Sequence, residues 1–383
     1  MPPASYWLQR VEVSRSALAH NVREFRRLIG AGRKLLAVVK ANAYGHGLTE
    51  TAGIFLEHGV DWLGVNSLEE GLALREAGVE APVLVLGYVP LAALEEAVAA
   101  GLRLTVFNRR TVDGLAAAAA RLKRRAFVHI KLETGTNRLG IEPGELLDFA
   151  RLVKEKPGLV LEGLSSHFAN IEDTTKHDYP RMQFGLFRRA LEELTGAGIR
   201  VPLRHMACTA STILFRDATV NMARVGIGLY GLWPSKETLV SCLLRKRKPV
   251  SLKPALSWKA RIVQVKRVAA GAFIGYGCTF RTTRRTVLAV VPVGYSDGYD
   301  RGLSNAGHVL VHGRRAGVLG RVAMNFFMVD VTDIPGVGLE DEATLVGGDG
   351  GERITADDLA ALAGTINYEV VSRINPAVPR VVT

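Results

Sequence analysis

One pattern constrains this chain more than any other. Over its first two thirds, short runs of strand character recur eight times: LLAVVK (35–40), WLGVNS (62–67), VLVLGY (83–88), RLTVFN (103–108), FVHIKLE (127–133), LEGLSSHF (161–168), LRHMAC (203–208) and MARVGIGLYG (222–231). Between most of them lie Ala-, Leu-, Glu- and Arg-rich stretches with helical spacing, such as SLEEGLALREAG and PLAALEEAVAAG, each ending on a glycine suited to a helix C-cap. Such alternation predicts parallel strands joined by helices. An open doubly wound sheet would alternate in the same way; the count of eight favours an α/β fold of the closed, TIM-like (β/α)8 barrel type.

After Arg245 the pattern changes. Strand-like runs (KARIVQVKRV, RTVLAVVPVGY, HVLVHG, FFMVDVT) follow one another without helices, separated by turn signals at Ala270–Gly271, His312–Gly313 and Pro335–Gly336. This predicts a mostly antiparallel β domain. One helical stretch, TADDLAALAG, starts from a candidate cap at Thr355. The basic run 245–248, followed by Pro249, reads as the linker. The expected domains are therefore a barrel over 12–245 and a β domain over 246–383, with residues 1–11 packing with the latter.

Composition excludes several classes. No apolar run reaches the ~18–20 residues of a membrane helix, and Met1–Arg10 lack the basic-then-apolar order of a signal peptide. Cys208, Cys242 and Cys278 are odd in number and widely spaced, which argues against a disulfide framework or zinc ribbon, favours a reducing cytoplasm and gives no metal site. A net charge of +12 is compatible with an anionic partner, but the basic residues are scattered and carry no nucleic-acid-binding motif.

In a (β/α)8 barrel, chemistry collects at the C-terminal ends of the strands. There the sequence offers Lys40, then Lys131 and Arg138, His167, Cys208 and Thr209, and Arg224 with Gly226 and Gly228. Lys40 closes an apolar run, so its amine is expected in the barrel mouth, where a lowered pKa makes lysine a nucleophile toward carbonyls; a lone strand-end lysine would more often reach solvent. The segment RVGIGLYG (224–231) offers unobstructed backbone N–H groups of the kind that bind phosphate. A carbonyl-binding lysine and a phosphate nest on one rim together suggest pyridoxal 5'-phosphate.

These residues also carry a resemblance. VVKANAYGHG (38–47) resembles the cofactor-lysine signature of the alanine racemases, and the similarity extends through KLETGTNRLG (131–140), EGLSSHF (162–168), RVGIGLYG (224–231), GYGCTF (275–280), VGYSDGY (293–299), GRVAMN (320–325) and INYE (366–369). The resemblance implies a barrel followed by a β domain, and a homodimeric racemase that uses pyridoxal phosphate to interconvert L- and D-alanine, a small amino-acid substrate, and so supplies D-alanine for peptidoglycan. It implies that Lys40 holds the cofactor and acts as base on one face of the substrate, with Tyr276 of the partner subunit as base on the other. His167 would hydrogen-bond that tyrosine, and Arg224 would contact the ring nitrogen. Tyr44, Thr209, Gly226, Ile227 and Tyr368 would hold the phosphate. Arg138 and Met324 would bind the substrate carboxylate, and Lys131 would orient Arg138 as a carbamate; its alternative is an unmodified lysine paired with Glu133 or another acid. Tyr295, Arg301, Arg321, Ile366 and Glu172 would line a narrow entrance.

The chain departs from the family pattern at Cys208, where asparagine is common, at Thr209 for serine, at Ala323 for cysteine and at Asn325 for aspartate. Broader specificity, for serine or other small amino acids, is the alternative activity. A cofactor-carrying barrel without turnover is a further alternative, but such proteins lack the β domain that holds Tyr276.

Overall fold

The computed structural model describes residues 6–245 and 249–383; Met1–Ser5 and, from the expected linker, Lys246–Lys248 lie outside the described residues. The chain separates into two units. One comprises residues 17–43 and 48–254; the other comprises residues 44–47 and 255–383 with the N-terminal residues up to Ser16.

The first unit is built on eight parallel strands: β2 (Lys34–Val38), β3 (Trp62–Val65), β4 (Val83–Val85), β5 (Arg103–Val106), β6 (Ala126–Lys131), β7 (Leu159–Ser165), β8 (Leu203–His205) and β9 (Met222–Val225). The sheet runs β8-β7-β6-β5-β4-β3-β2-β9, so the last strand returns to the first, with Lys34 opposite Met222 and Leu36 opposite Arg224. Between β8 and β9 there is no ladder. The seam closes through Asn221, whose Oδ1 accepts from the Arg204 N–H at 2.7 Å and whose Nδ2 donates to the Pro202 carbonyl at 2.6 Å, and through the Arg224 N–H to the Ala207 carbonyl at 3.2 Å. β3 and β4 are buried on both faces and read as unbroken apolar runs, WLGV and VLV.

Helices cover them with one apolar stripe each. Leu18, Val22, Phe25 and Ile29 lie at helical spacing on the buried face of Arg15–Ile29. Ser67 and Asn108 cap the next turns of chain, accepting from the N–H groups of Glu70 and Thr111. The five-alanine tract lies inside the helix Arg109–Leu122. Each strand is shorter than the run read from sequence. Its tail leaves the sheet, so Lys40, Arg138, His167 and Thr209 lie beyond the strand ends, whereas Lys131 and Arg224 lie on β6 and β9.

The second unit is a large, mostly antiparallel sheet. Its strands are β1 (Gln9–Val13), β10 (Leu256–Arg261), β11 (Gln264–Val268), β14 (Thr286–Val291), β15 (His308–Val311), β16 (Arg314–Leu319), β17 (Phe327–Asp330), β18 (Glu342–Asp349), β19 (Glu352–Ile354) and β20 (Arg380–Val382). A separate hairpin pairs β12 (Phe273–Ile274) with β13 (Phe280–Arg281). Positive φ at His312 and Gly313 makes the tight turn between β15 and β16. The helix Ala356–Ala363 is capped by Thr355 as the sequence predicts, and Asp358 completes a reciprocal capping box.

Several elements go beyond the runs read from sequence, whereas the packing of the N-terminal residues with this unit was expected. A second helix, Asn367–Ser372, carries the INYE motif, and β1 and β20 join the sheet as parallel neighbours. Because β1 pairs along its whole length with β10, Glu12 and Val13 lie in this sheet, and the barrel unit runs on to Pro254.

Candidate active site

Lys40 follows β2, and there the backbone takes an unusual course. Ala41, Asn42, Ala43 and Tyr44 all adopt φ of 52–53°, a left-handed turn that costs an L-residue roughly 1–2 kcal/mol each. The turn is held by hydrogen bonds: the Ala43 N–H to the Val39 carbonyl (2.8 Å), the Ala41 N–H to Glu70 Oε1 (2.6 Å) and the Leu48 N–H to Asn42 Oδ1 (2.9 Å). Glu70 Oε2 accepts from the Asn66 N–H at 2.7 Å, so one carboxylate ties together the ends of β2 and β3. Lys40 itself is half-buried. Burial lowers its pKa, and the Arg138 cation adds to the effect against the opposing pull of Glu70.

The loop after β6 folds around a carboxylate. Glu133 Oε1 accepts from the N–H groups of Thr134 (2.8 Å), Gly135 (2.6 Å) and Thr136 (2.5 Å), and Oε2 from that of Arg138 (3.3 Å). Burial raises the Glu133 carboxyl, yet these donors more than offset it and leave the group below its ordinary value. Both oxygens accept from backbone N–H groups, and Glu133 makes no ion pair with Lys131 among the described residues, although its charge still raises the Lys131 amine. Among the described residues no acid pairs with Lys131, and burial beside Arg224 and Arg138 holds its amine well below the usual range.

Arg224, on β9, is buried. Its Nη1 donates to His205 Nδ1 and to the His205 carbonyl, both at 2.7 Å; Nη2 donates to the carbonyls of Ser166 (2.7 Å) and Met206 (3.3 Å) and to His167 Nδ1 (3.3 Å). No carboxylate touches it among the described residues, so it is not a structural arginine paired with a barrel acid. Burial lowers it to about 10. Among the described residues its Nε–H makes no hydrogen bond.

An arginine can only donate, so His167 accepts at Nδ1 and carries its proton on Nε2. Burial, with Lys131, Arg224, Arg138 and Lys40 nearby, keeps His167 neutral. The Thr209 hydroxyl accepts from the Gly226 N–H at 3.1 Å. The turn Ile227–Tyr230 passes so close to Phe25 and Thr209 that a Cβ on Gly228 would lie 2.5 Å from the Phe25 ring. Burial pushes the Cys208 thiol up to about 11.

In the second unit, Tyr44–Gly47 pack with the β strands' own helix. The Tyr44 ring lies 6.0 Å from that of Tyr368, and the Gly45 carbonyl accepts from Arg380 Nε at 3.0 Å. Tyr276 sits at the tip of the β12–β13 hairpin, between Gly275 and Gly277 in positive φ, and is 75% exposed. The Arg321 guanidinium lies against Gly277.

Two motifs fold onto each other here. The Tyr295 N–H donates to the Ala323 carbonyl (3.1 Å), Ser296 Oγ donates to the Met324 carbonyl (2.8 Å), and Asn325 Nδ2 donates to Ser296 Oγ (3.0 Å). Met324, Tyr295 and Ile366 are exposed. Arg301 opens a short turn capped by Asp300. Of the expected entrance residues, Glu172 alone belongs to the barrel unit; its carbonyl accepts from Ser235 Oγ. Sequence reasoning missed Glu70, His129 and His205, whose partners are backbone groups or side chains remote in sequence, and named Glu133 only as a partner for Lys131, not as the organiser of its own loop.

The family model for the alanine racemase N-terminal domain matches residues 13–234, and that for the alanine racemase C-terminal domain matches residues 255–382. The chain is 43% identical to an alanine racemase of Symbiobacterium thermophilum, over 96% of this chain and 95% of that one. It is similar in fold to the crystal structure of alanine racemase from Bacillus anthracis with bound L-Ala-P, with a TM-score of 0.91, 37% identity and coverage of 99% and 95% of the two chains. It is also similar to a histidine racemase from Leuconostoc mesenteroides, with a TM-score of 0.89, 28% identity and coverage of 99% of each chain. Among the described residues no helix is long and apolar enough to cross a membrane. With a barrel rim and a β domain that carry the expected motifs over nearly the full length of both chains, this chain belongs to the alanine racemase family.

Proposed function

We propose that the protein interconverts L- and D-alanine with pyridoxal phosphate bound at the barrel rim. The observation that carries this reading is the gathering of Lys40, Lys131, Arg138 and Arg224 around a neutral His167, with the nearby acid Glu133 committed to backbone. Such a cluster favours anionic ligands, here a phosphate and a substrate carboxylate.

The residues fit the cofactor. Arg224 keeps a free Nε–H for a ring nitrogen, and Lys40 has a lowered pKa suited to a carbonyl carbon. The turn at Gly226 and Ile227, beside the Thr209 hydroxyl that accepts from the Gly226 N–H, would hold the phosphate, and Tyr44 and Tyr368 would be further donors to it. When bound, the cofactor would act as an electron sink that makes the substrate Cα proton removable. An arginine at the ring nitrogen does not readily give up a proton, which would limit that sink and favour return of the proton to Cα over other outcomes.

Inversion requires a proton to leave one face of Cα and another to arrive on the opposite face. Lys40 would serve one face and Tyr276 of the partner subunit the other. The exposure of Tyr276, Met324, Phe326 and Ile366 on the second unit supports a homodimer in which each chain completes its neighbour's site. A phenol is a weak base near neutral pH; the His167 Nε2–H would be a donor to its oxygen and favour the ionised form. Arg138 would hold the substrate carboxylate together with the Met324 N–H. Lys131, with no ion pair to an acid among the described residues, is suited to carbamylation, which would place an anion between Arg138 and Arg224. Tyr295, Arg301, Arg321, Ile366 and Glu172 would restrict the substrate to small side chains. The product would serve peptidoglycan synthesis in the cytoplasm.

Mixing two inactive variants tests the shared site. Lys40→Ala and Tyr276→Phe dimers, exchanged together, should regain activity in roughly a quarter of the sites, because half the dimers are mixed and each has one intact site. No recovery, with exchange verified by mass, overturns the shared-site reading. Borohydride treatment and peptide mapping should place the cofactor's mass on Lys40. The second reading, broader specificity, is favoured by the likeness to a histidine racemase; comparable kcat/KM on alanine and on larger amino acids would establish it.

A further inference from the structure

A chain of buried side chains crosses the barrel interior below Arg224. Glu162 Oε2 lies 3.1 Å from His129 Nε2; His129 Nδ1 lies 2.7 Å from His205 Nε2; His205 Nδ1 lies 2.7 Å from Arg224 Nη1. Both imidazoles are fully buried. At the far end, where both side chains are part-buried, the Arg103 guanidinium sits over the rings of Trp62 and Phe127 and 3.6 Å from Glu162. The charged groups that face the pair are Glu162 and Arg103 at one end, and Arg224 and Lys131 at the other.

The ends dictate the direction of every hydrogen bond between them. A carboxylate only accepts and a guanidinium only donates. His129 must therefore donate from Nε2 and accept at Nδ1. His205 must then donate from Nε2, which leaves its Nδ1 to accept from Arg224. All donors and acceptors are satisfied with both rings neutral. A second proton on either ring would set two N–H groups against each other, and reversal is barred at both ends.

We infer that His129 and His205 are positioning residues for Arg224: their one-way chain to Glu162 occupies Nη1, fixes the guanidinium plane and leaves Nε–H presented to the rim. It also supplies, through two polarised rings, the countercharge that Arg224 lacks from any direct acid. The inference deepens the reading above, since it rests on Arg224 facing the cofactor's ring nitrogen.

The test uses histidine-15N-labelled holoenzyme. Long-range 1H–15N spectra, assigned with His129→Gln and His205→Gln, should show both rings as neutral Nε2–H tautomers from pH 6 to 9. A glutamine at 205 can still accept from Arg224 and donate to His129, whereas leucine can do neither. His205→Gln should keep the His129 tautomer and most of kcat. His205→Leu should lose that tautomer and lower kcat roughly 10- to 100-fold, with KM nearly unchanged. An Nδ1–H tautomer, or protonation of either ring at pH 6, overturns the relay, as does a His205→Leu enzyme with wild-type kcat. If His205→Leu does not fold, the wild-type spectra alone decide. Wrong tautomers in a protein that carries the cofactor on Lys40 sink only the relay. Correct tautomers in a protein that takes up no pyridoxal phosphate sink only the cofactor reading.

Discussion

The loop that carries Arg138 is organised by a single carboxylate, and Glu133→Gln isolates its charge. Three backbone N–H groups converge on Oε1 and one on Oε2. The glutamine oxygen can retain the three; its NH2 group loses the fourth. A hydrogen bond to a charged acceptor contributes about 1 kcal/mol more than one to a neutral acceptor. Three such bonds therefore place the loss near 3 kcal/mol. The loss should appear first as local opening rather than global unfolding. Amide exchange at Thr134, Gly135 and Thr136 in the variant should quicken by roughly 100-fold, which is about 3 kcal/mol at 1.36 kcal/mol per decade.

The sign of the pH dependence follows from the depressed native pKa of Glu133. The wild-type advantage is fully present above the unfolded carboxyl's pKa and is lost as pH falls through the native value. Wild type and variant should therefore converge in denaturant titrations below about pH 4. Exchange rates within twofold of wild type at pH 7 would refute the idea that this charge shapes the loop.

Lys40→Met should raise the melting temperature of the cofactor-free protein at pH 7 while abolishing racemisation. The native amine has a pKa below its ordinary 10.5, so protonating it opposes folding, and the gain should fade as pH approaches that value. Gly228→Ala should cost about 1–3 kcal/mol in denaturant titrations and weaken phosphate binding, because its Cβ would press on Phe25 and Thr209. Incorporation of 13C-bicarbonate should give a carbamate signal by 13C NMR that Lys131→Gln abolishes. Asn325→Asp should turn the Ser296 hydroxyl toward the new carboxylate and away from the Met324 carbonyl, which a shifted pH–rate profile for racemisation would register.

Where the signal was local, the sequence was informative. Eight apolar runs separated by amphipathic segments foretold the parallel sheet, and Thr355 marked the start of its helix. Lys40, Arg138, His167 and Arg224 stood out because polar side chains end apolar strands. What stayed hidden depends on distance along the chain. β1 is five residues whose partners lie about 250 and 370 residues away, so no local pattern announces it. The left-handed course of Ala41–Tyr44 has no glycine to signal it and depends on Glu70, a helical residue that reads as ordinary surface charge. His129 and His205 look like unremarkable strand residues until the barrel brings them within hydrogen-bonding distance.

The seam between β8 and β9 makes the barrel a hoop riveted by the Asn221 amide at one end and by Arg224 at the other. The strands on either side of that seam are the ones that lead to Thr209 and carry Arg224. Breathing of the hoop would start there, so the rim would lose its geometry while the helices outside still stood. Inactivation should therefore precede unfolding when the protein is heated, and replacing Asn221 with alanine should widen the interval between the two.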